Sequence, residues 1–155
     1  MENSYLPNNQ SCKIAIIGLG YVGLPLAIKF AGCKSNIKNG DSLNREVIGF
    51  DLNKERLAQL RENFDKTNEI SEKELLEVKI LFTSEESTLE NADVFIVTVP
   101  TPIDEAKKPD LSYLKKASIT IGKSLKFRKK NPNGKYSPII IYESTVFPGA
   151  TEEIC

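Results

Sequence analysis

The sequence contains no histidine and no tryptophan, and a single methionine among 155 residues. Without histidine, the commonest imidazole metal ligand and the commonest general base near neutral pH are both missing. Cys12, Cys33 and Cys155 are an odd, scattered set with no C-x-x-C pair. No zinc-ligand spacing results, and no metal-ligating residue is assigned. No sign of charge dominates either: 21 Lys and Arg balance 21 Asp and Glu. That removes the global basic field that nucleic acid or an anionic membrane would require, leaving only local basic sites open. No apolar run reaches the length of a membrane span, and MENSYLPNNQSC lacks the basic-then-apolar order of a signal peptide. The expectation is a reduced, cytoplasmic protein with no membrane or nucleic-acid partner.

What the chain does have is ordinary for one globular domain, with 40% apolar and 27% charged residues. Residues 1–12 read as a flexible leader, and 13–155 as the domain. Lys13 to Ile17 is an apolar run suited to a strand buried on both faces. A helix follows from about Tyr21 to Ala31, then a polar loop or insertion at 32–45, then a second strand, EVIGFD, closing at Asp51. Asn53 is placed to cap a helix that turns Leu57 and Leu60 inward, and Ser71 with Glu74 has the spacing of a capping box. KILFT and DVFIVTV read as strands three and four, and Pro100, Pro102 and Pro109 stiffen the loop behind them. A further helix aligns Leu111, Leu114, Ala117, Ile121 and Leu125, before a last strand, PIIIYE, and a last helix after STVFPGATEE. The basic run KSLKFRKKNPNGK is assigned to a solvated loop between helix and strand rather than to a phosphate or nucleic-acid site. Apolar strands alternating with amphipathic helices imply an α/β fold with a parallel sheet covered on both faces.

Gly18, Gly20 and Gly23 spell G-x-G-x-x-G where the first strand hands over to the first helix. In a dinucleotide site the first glycine makes the tight turn, the second lets a pyrophosphate approach, and the third lets helix and sheet pack closely. Amides at the helix start, backed by the helix dipole, then hold the diphosphate. A glycine-rich turn alone says little, but this one follows a strand, opens a helix and precedes an acidic strand end. The fold implied is a Rossmann-type doubly wound parallel sheet. Asp51 lies further from the glycines than the usual spacing of about twenty residues, and the 32–45 insertion accounts for the excess. A carboxylate there accepts from a ribose 2′-hydroxyl and repels a 2′-phosphate, which favours NAD over NADP. Its alternative role is that of a helix N-terminal aspartate beside Asn53. Arg56, read as a turn and a half into the helix, is assigned to the adenosine rather than to a 2′-phosphate.

Together, GLGYVGLPLA, TVPTPI…PDLSYL and ESTVFPGATEE resemble the nucleotide-sugar 6-dehydrogenases, in that family's order and over nearly the whole chain from residue 13. YESTVFPGATEE is most similar to the branch acting on UDP-N-acetylglucosamine or UDP-N-acetylgalactosamine, the Vi-antigen type included. The resemblance implies a four-electron oxidation of a sugar C6 alcohol to a carboxylate with two NAD. A cysteine captures the aldehyde, and the resulting thioester is hydrolysed. It implies further that Gly18, Leu19, Gly20, Tyr21, Val22, Gly23, Asp51 and Arg56 bind cofactor. Val99, Pro100, Thr101 and Pro102 would pass the nicotinamide-side ribose, beside Ser144 and Thr145. Thr145 is the one residue given a catalytic role, positioning the water. From the residues alone, a hydroxyl capping the following helix serves equally well.

The family's G-x-C-I-P-like cysteine motif is absent, and so is the region carrying its catalytic lysine and asparagine. The chain therefore reads as the NAD-binding part of a longer, homo-oligomeric enzyme, inactive by itself, with the UDP-sugar held mainly elsewhere. Connections at 32–45 and about 126–137 are longer than the family pattern suggests. The competing readings are a UDP-glucose 6-dehydrogenase or UDP-N-acetylmannosamine dehydrogenase, a β-hydroxyacid dehydrogenase, which shares the glycine fingerprint, and a non-catalytic nucleotide-binding module.

Overall fold

A computed structural model describes residues 6–103, 108–128, 137–146 and 148–155. Strand β1, Lys13–Ile17, runs through the middle of the sheet. Its side chains alternate between two apolar layers: Ile14 and Ile16 enter one, Ala15 and Ile17 the other. This is why the run is apolar throughout rather than alternating. Strands β2 (Glu46–Phe50), β3 (Ile80–Thr83), β4 (Val94–Val97) and β5 (Ile139–Tyr142) complete a five-stranded sheet in the order β3-β2-β1-β4-β5. Every pairing is parallel; Ile14, for example, is in register with Val47 on one side and Val94 on the other.

Helices α1 (Gly23–Gly32), α2 (Lys54–Arg61) and α3 (Glu72–Leu76) cover one face through Leu24, Ile28, Leu57, Leu60 and Leu75. Helix α4 (Ser112–Phe127) and a 3₁₀ helix at Glu86–Asn91 cover the other through Leu89, Leu114, Ala117 and Ile121. A short α5 (Ala150–Ile154) ends the chain. From β1 the strand order runs outward both ways, to β2 and to β4, so a crevice opens at their carboxyl ends. That is where ligands bind in open sheets of this kind.

Local signals in the sequence account for the helix starts. The Asn53 side chain accepts from the Arg56 amide at 3.1 Å, and both halves of the Ser71–Glu74 capping box form. Helix α1 starts at Gly23 rather than near Tyr21, because 18–22 make the turn itself. Helix α4 extends through Phe127, so the front of the basic run is helical rather than loop. Its back, and most of the 126–137 connection, lie outside the described residues. Where it is described, the leader makes contacts with the end of the 32–45 loop. Arg45 donates through Nε to the Asn9 carbonyl at 2.9 Å, and Asn44 N–H donates to Gln10 at 2.7 Å. Cys12 is buried in the core. The 32–45 loop folds back on itself through a Ser35–Ser42 bridge, which brings Asp41 to Gln10 Nε2 at 3.0 Å. Among the described residues, no helix is long and apolar enough to cross a membrane.

Candidate dinucleotide site

The turn after β1 is held at each of its glycines by a different constraint. Gly18 has φ +96°, a left-handed conformation that a side chain disfavours, and its amide donates to the Phe50 carbonyl at 2.8 Å. Gly20 faces open space: a Cβ built there meets nothing within 4 Å. At Gly23 a Cβ would overlap the Gly18 carbonyl oxygen and come within 2.5 Å of Thr98 Oγ1. The third glycine therefore closes the turn onto itself and onto the end of β4, and it does not line the crevice. Among the described residues, the amides of Gly20, Tyr21 and Val22 donate to no protein oxygen. They stand at the N-terminus of α1, where anions are favoured.

Leu19 fixes the turn from both sides of its peptide. Its N–H donates to Asp51 Oδ2 at 2.8 Å, and its carbonyl accepts from Arg56 Nε at 2.9 Å. Asp51 Oδ1 accepts from Asn53 N–H at 2.8 Å. Each carboxylate oxygen keeps accepting capacity for a ligand hydroxyl. Asp51 thus makes its helix N-terminal bond to Asn53 while keeping capacity for a ligand. Arg56 lies in the first turn of α2 rather than a turn and a half in. It is buried, with Nη1 2.7 Å from Asp65 Oδ1.

Opposite, the loops after β4 and β5 are stitched by hydroxyls. Thr101 Oγ1 donates to the Thr145 carbonyl at 2.7 Å, and Ser144 Oγ to the Val99 carbonyl at 2.6 Å. The Thr145 hydroxyl has no hydrogen-bond partner among the described residues, and the N-cap of α5 is Gly149 (φ +89°), with no side-chain cap. The capping role is thereby excluded for Thr145.

These elements enclose a crevice of about 560 Å³ lined by Gly18, Leu19, Gly20, Tyr21, Val22, Asp51, Arg56, Val99, Pro100, Thr101, Ser144 and Thr145. That is within the ~300–1,000 Å³ common for small-molecule sites. Of the residues expected there, only Gly23 and Pro102 do not line it. Pro102 instead accepts from Asp110 N–H through its carbonyl at 2.7 Å, holding the proline loop. Thr67, Thr98, Tyr113, Lys116 and Thr120 line the crevice without having been singled out. Thr98 had a signal: a hydroxyl closing the most apolar strand. It donates to the Gly18 carbonyl at 2.8 Å. The other four lie on α4 and on the loop beyond α2, and only tertiary structure brings them in.

An open face at Gly20, unpaired amides at a helix start and an aimed carboxylate together fit a ligand with a diphosphate and a ribose. None of the cysteines lines the crevice, and burial pushes the Cys12 thiol up against the lowering effect of Arg45.

A family model described as the UDP-glucose/GDP-mannose dehydrogenase family, NAD binding domain, matches residues 12–155. Over 144 residues the chain is 50% identical to a UDP-N-acetyl-D-glucosamine 6-dehydrogenase of Pseudomonas aeruginosa and 46% identical to one of Salmonella typhi. In both cases 92% of this chain aligns to only 29% of the relative's length. A solved UDP-D-ManNAc dehydrogenase structure from Pyrococcus horikoshii superposes with a TM-score of 0.72 at 32% identity, covering 92% of this chain and 30% of that one.

Proposed function

Since the chain belongs to the UDP-glucose/GDP-mannose dehydrogenase family through its NAD-binding domain, we propose that it is the cofactor half of a UDP-N-acetylhexosamine 6-dehydrogenase. The substrate class is UDP-N-acetylglucosamine or UDP-N-acetylgalactosamine, as in enzymes supplying cytoplasmic precursors of surface polysaccharides such as Vi antigen. The oxidised product is the 6-carboxylate, and the UDP-sugar is held mainly by residues other than these. The whole enzyme is expected to be a homo-oligomer.

The observation that carries the cofactor half of this reading is the meeting of Asp51 Oδ2 with Leu19 N–H at 2.8 Å beside the open face of Gly20. NAD, when bound, supplies the hydride acceptor. The amides of Gly20, Tyr21 and Val22 would hold its diphosphate, and the Asp51 carboxylate the adenosine ribose hydroxyls. Val99, Pro100, Thr101 and Ser144 would form the opposite wall, and the unpartnered Thr145 hydroxyl would orient a water or a substrate oxygen.

Calorimetric titration of the chain tests the reading. NAD should saturate one site, and NADP should bind more weakly because a 2′-phosphate meets the Asp51 charge. Asp51→Ala should narrow that preference and weaken both ligands, since it also releases the Leu19 amide. Equal affinities for NAD and NADP in the unaltered chain would overturn it.

A further inference from the structure

We infer that Asp65, whose carboxylate lies behind the crevice and does not line it, is a positioning residue that sets the choice between NAD and NADP by restraining Arg56. The inference rests on the reading of the crevice as a dinucleotide site.

The Asp65 side chain has no exposed surface. Its Oδ1 accepts from Thr67 N–H at 3.0 Å and from Thr67 Oγ1 at 2.7 Å; its Oδ2 accepts from the amides of Glu69 at 2.9 Å and Ile70 at 3.0 Å. Those bonds wrap residues 65–70 around the carboxylate and fix it in place. The remaining interaction is the 2.7 Å approach of Arg56 Nη1 to Oδ1, an ionic contact without hydrogen-bond alignment. Arg56 Nη2 reaches only as far as Thr67 Oγ1, at 3.5 Å, while its Nε holds the Leu19 carbonyl. A continuous series results: Asp65 to Arg56, Arg56 to Leu19, Leu19 to Asp51.

Two consequences follow for a dinucleotide. The guanidinium behind the glycine turn is already neutralised by a buried carboxylate, so a 2′-phosphate at the end of β2 meets the charge of Asp51 without the help of Arg56. An arginine in this neighbourhood is what accommodates a 2′-phosphate in NADP sites, and here Asp65 withdraws it. The same contact keeps Nε on Leu19, which holds the turn open for the diphosphate. Removing the Asp65 charge leaves a buried guanidinium unpaired, and an unpaired buried charge seeks a partner. The anion that NADP brings and NAD lacks is the 2′-phosphate.

The test compares NAD and NADP affinities, by calorimetry, for the unaltered chain, Asp65→Asn and the double variant Asp65→Asn/Arg56→Met. Asp65→Asn should shift the NADP-to-NAD affinity ratio toward NADP on the order of tenfold, the size of one charged contact. The double variant should lose that shift, because the freed guanidinium is gone. A purely structural role for Asp65 would weaken both ligands alike. An unchanged ratio in a folded Asp65→Asn, or a shift that persists in the double variant, overturns the assignment. Absence of any binding to the unaltered chain overturns the dinucleotide reading instead, a separate result. If Asp65→Asn does not fold, the double variant, which buries no lone charge, decides. NAD binding weaker than in the unaltered chain supports the Arg56–Leu19 hold, and unchanged binding overturns it.

Discussion

Gly23 packs against the carbonyl of Gly18 with no room for a side chain between them. The first helix therefore begins in contact with the backbone that ends β1, and the turn between them has one closed shape. Thr98 seals it, its hydroxyl donating to the same Gly18 carbonyl at 2.8 Å. Gly23→Ala should push helix and turn apart, at a cost of about 3 kcal/mol, the upper part of the usual overpacking range. In a domain of this size that corresponds to roughly 6–12 °C in Tm, measurable by thermal unfolding followed by circular dichroism. A Tm within 2 °C of the unaltered chain would show that the turn relaxes freely.

Gly20 makes the opposite case. It has neither a positive φ nor a neighbour in reach of a Cβ. Gly20→Val should therefore leave Tm nearly unchanged, apart from a few tenths of a kcal/mol typical of exposed sites, while abolishing NAD binding by filling the diphosphate's space. An unaltered NAD titration would mean that the phosphates lie elsewhere.

The contrast between these glycines also shows how far the sequence was legible. Motif and strand-to-helix context located the turn, Asp51 and the parallel sheet, because those depend on local backbone needs and on apolar runs. The spacing rule assigned Gly23 to helix–sheet packing, and its tightest neighbours are indeed Gly18 and Thr98, just past the ends of β1 and β4. The 3₁₀ helix at Glu86–Asn91 carries only Leu89 as a buried residue, too weak a pattern to read. Nothing in the sequence marks Asp65. Its burial depends on Arg56 and on the amides of Glu69 and Ile70 converging on it, which no periodicity announces.

The acid limb of stability should carry the signature of that carboxylate. Burial by itself would raise the Asp65 pKa. The Thr67 side chain, Arg56 and the Ile70 and Thr67 amides together outweigh burial and hold it at about 2, against 3.8 ordinarily. A pKa depressed in the folded state adds stability above the unfolded value, and that stability is lost as pH falls through the folded one. About 2 kcal/mol should therefore disappear between roughly pH 4 and pH 2. Glu74 and Asp110, lowered by bonds to Ser71 and Ser112, act in the same direction. Urea midpoints measured from pH 7 to pH 2 should be flat above pH 5 and fall below pH 4. A decline centred above pH 5 would contradict the Asp65 assignment.

Thr101 and Thr145 lie on facing loops and use their hydroxyls differently. Thr101→Val removes the 2.7 Å bond to the Thr145 carbonyl, and should cost about 1 kcal/mol. Thr145→Val removes a hydroxyl with no partner among the described residues and should change stability by less than ~0.5 kcal/mol. Chemical denaturation of both variants separates a stitching hydroxyl from one left available to a ligand. Equal losses would show that Thr145 is structural after all.

The chain by itself should form no NADH from UDP-N-acetylglucosamine or UDP-N-acetylgalactosamine. Oxidising a C6 alcohol requires a base for the hydroxyl proton and, for the second oxidation, a nucleophile to capture the aldehyde, both held against the nicotinamide. The residues lining the crevice include no cysteine, and the sequence contains no histidine. Asp51 already holds Leu19 and Asn53, and Arg56 is bound to Leu19 and Asp65. Among the described residues, Lys116 is the one remaining lysine or arginine on the wall, and it projects from α4, whereas Thr145 follows β5. Lys116 is also exposed to solvent. The measurement is absorbance at high protein concentration with saturating NAD and each sugar nucleotide. Its positive control is a full-length relative such as the Pseudomonas aeruginosa enzyme, of which this chain matches 29%. Turnover by the chain alone would place a base and a nucleophile within these residues and would make Lys116 the first position to substitute.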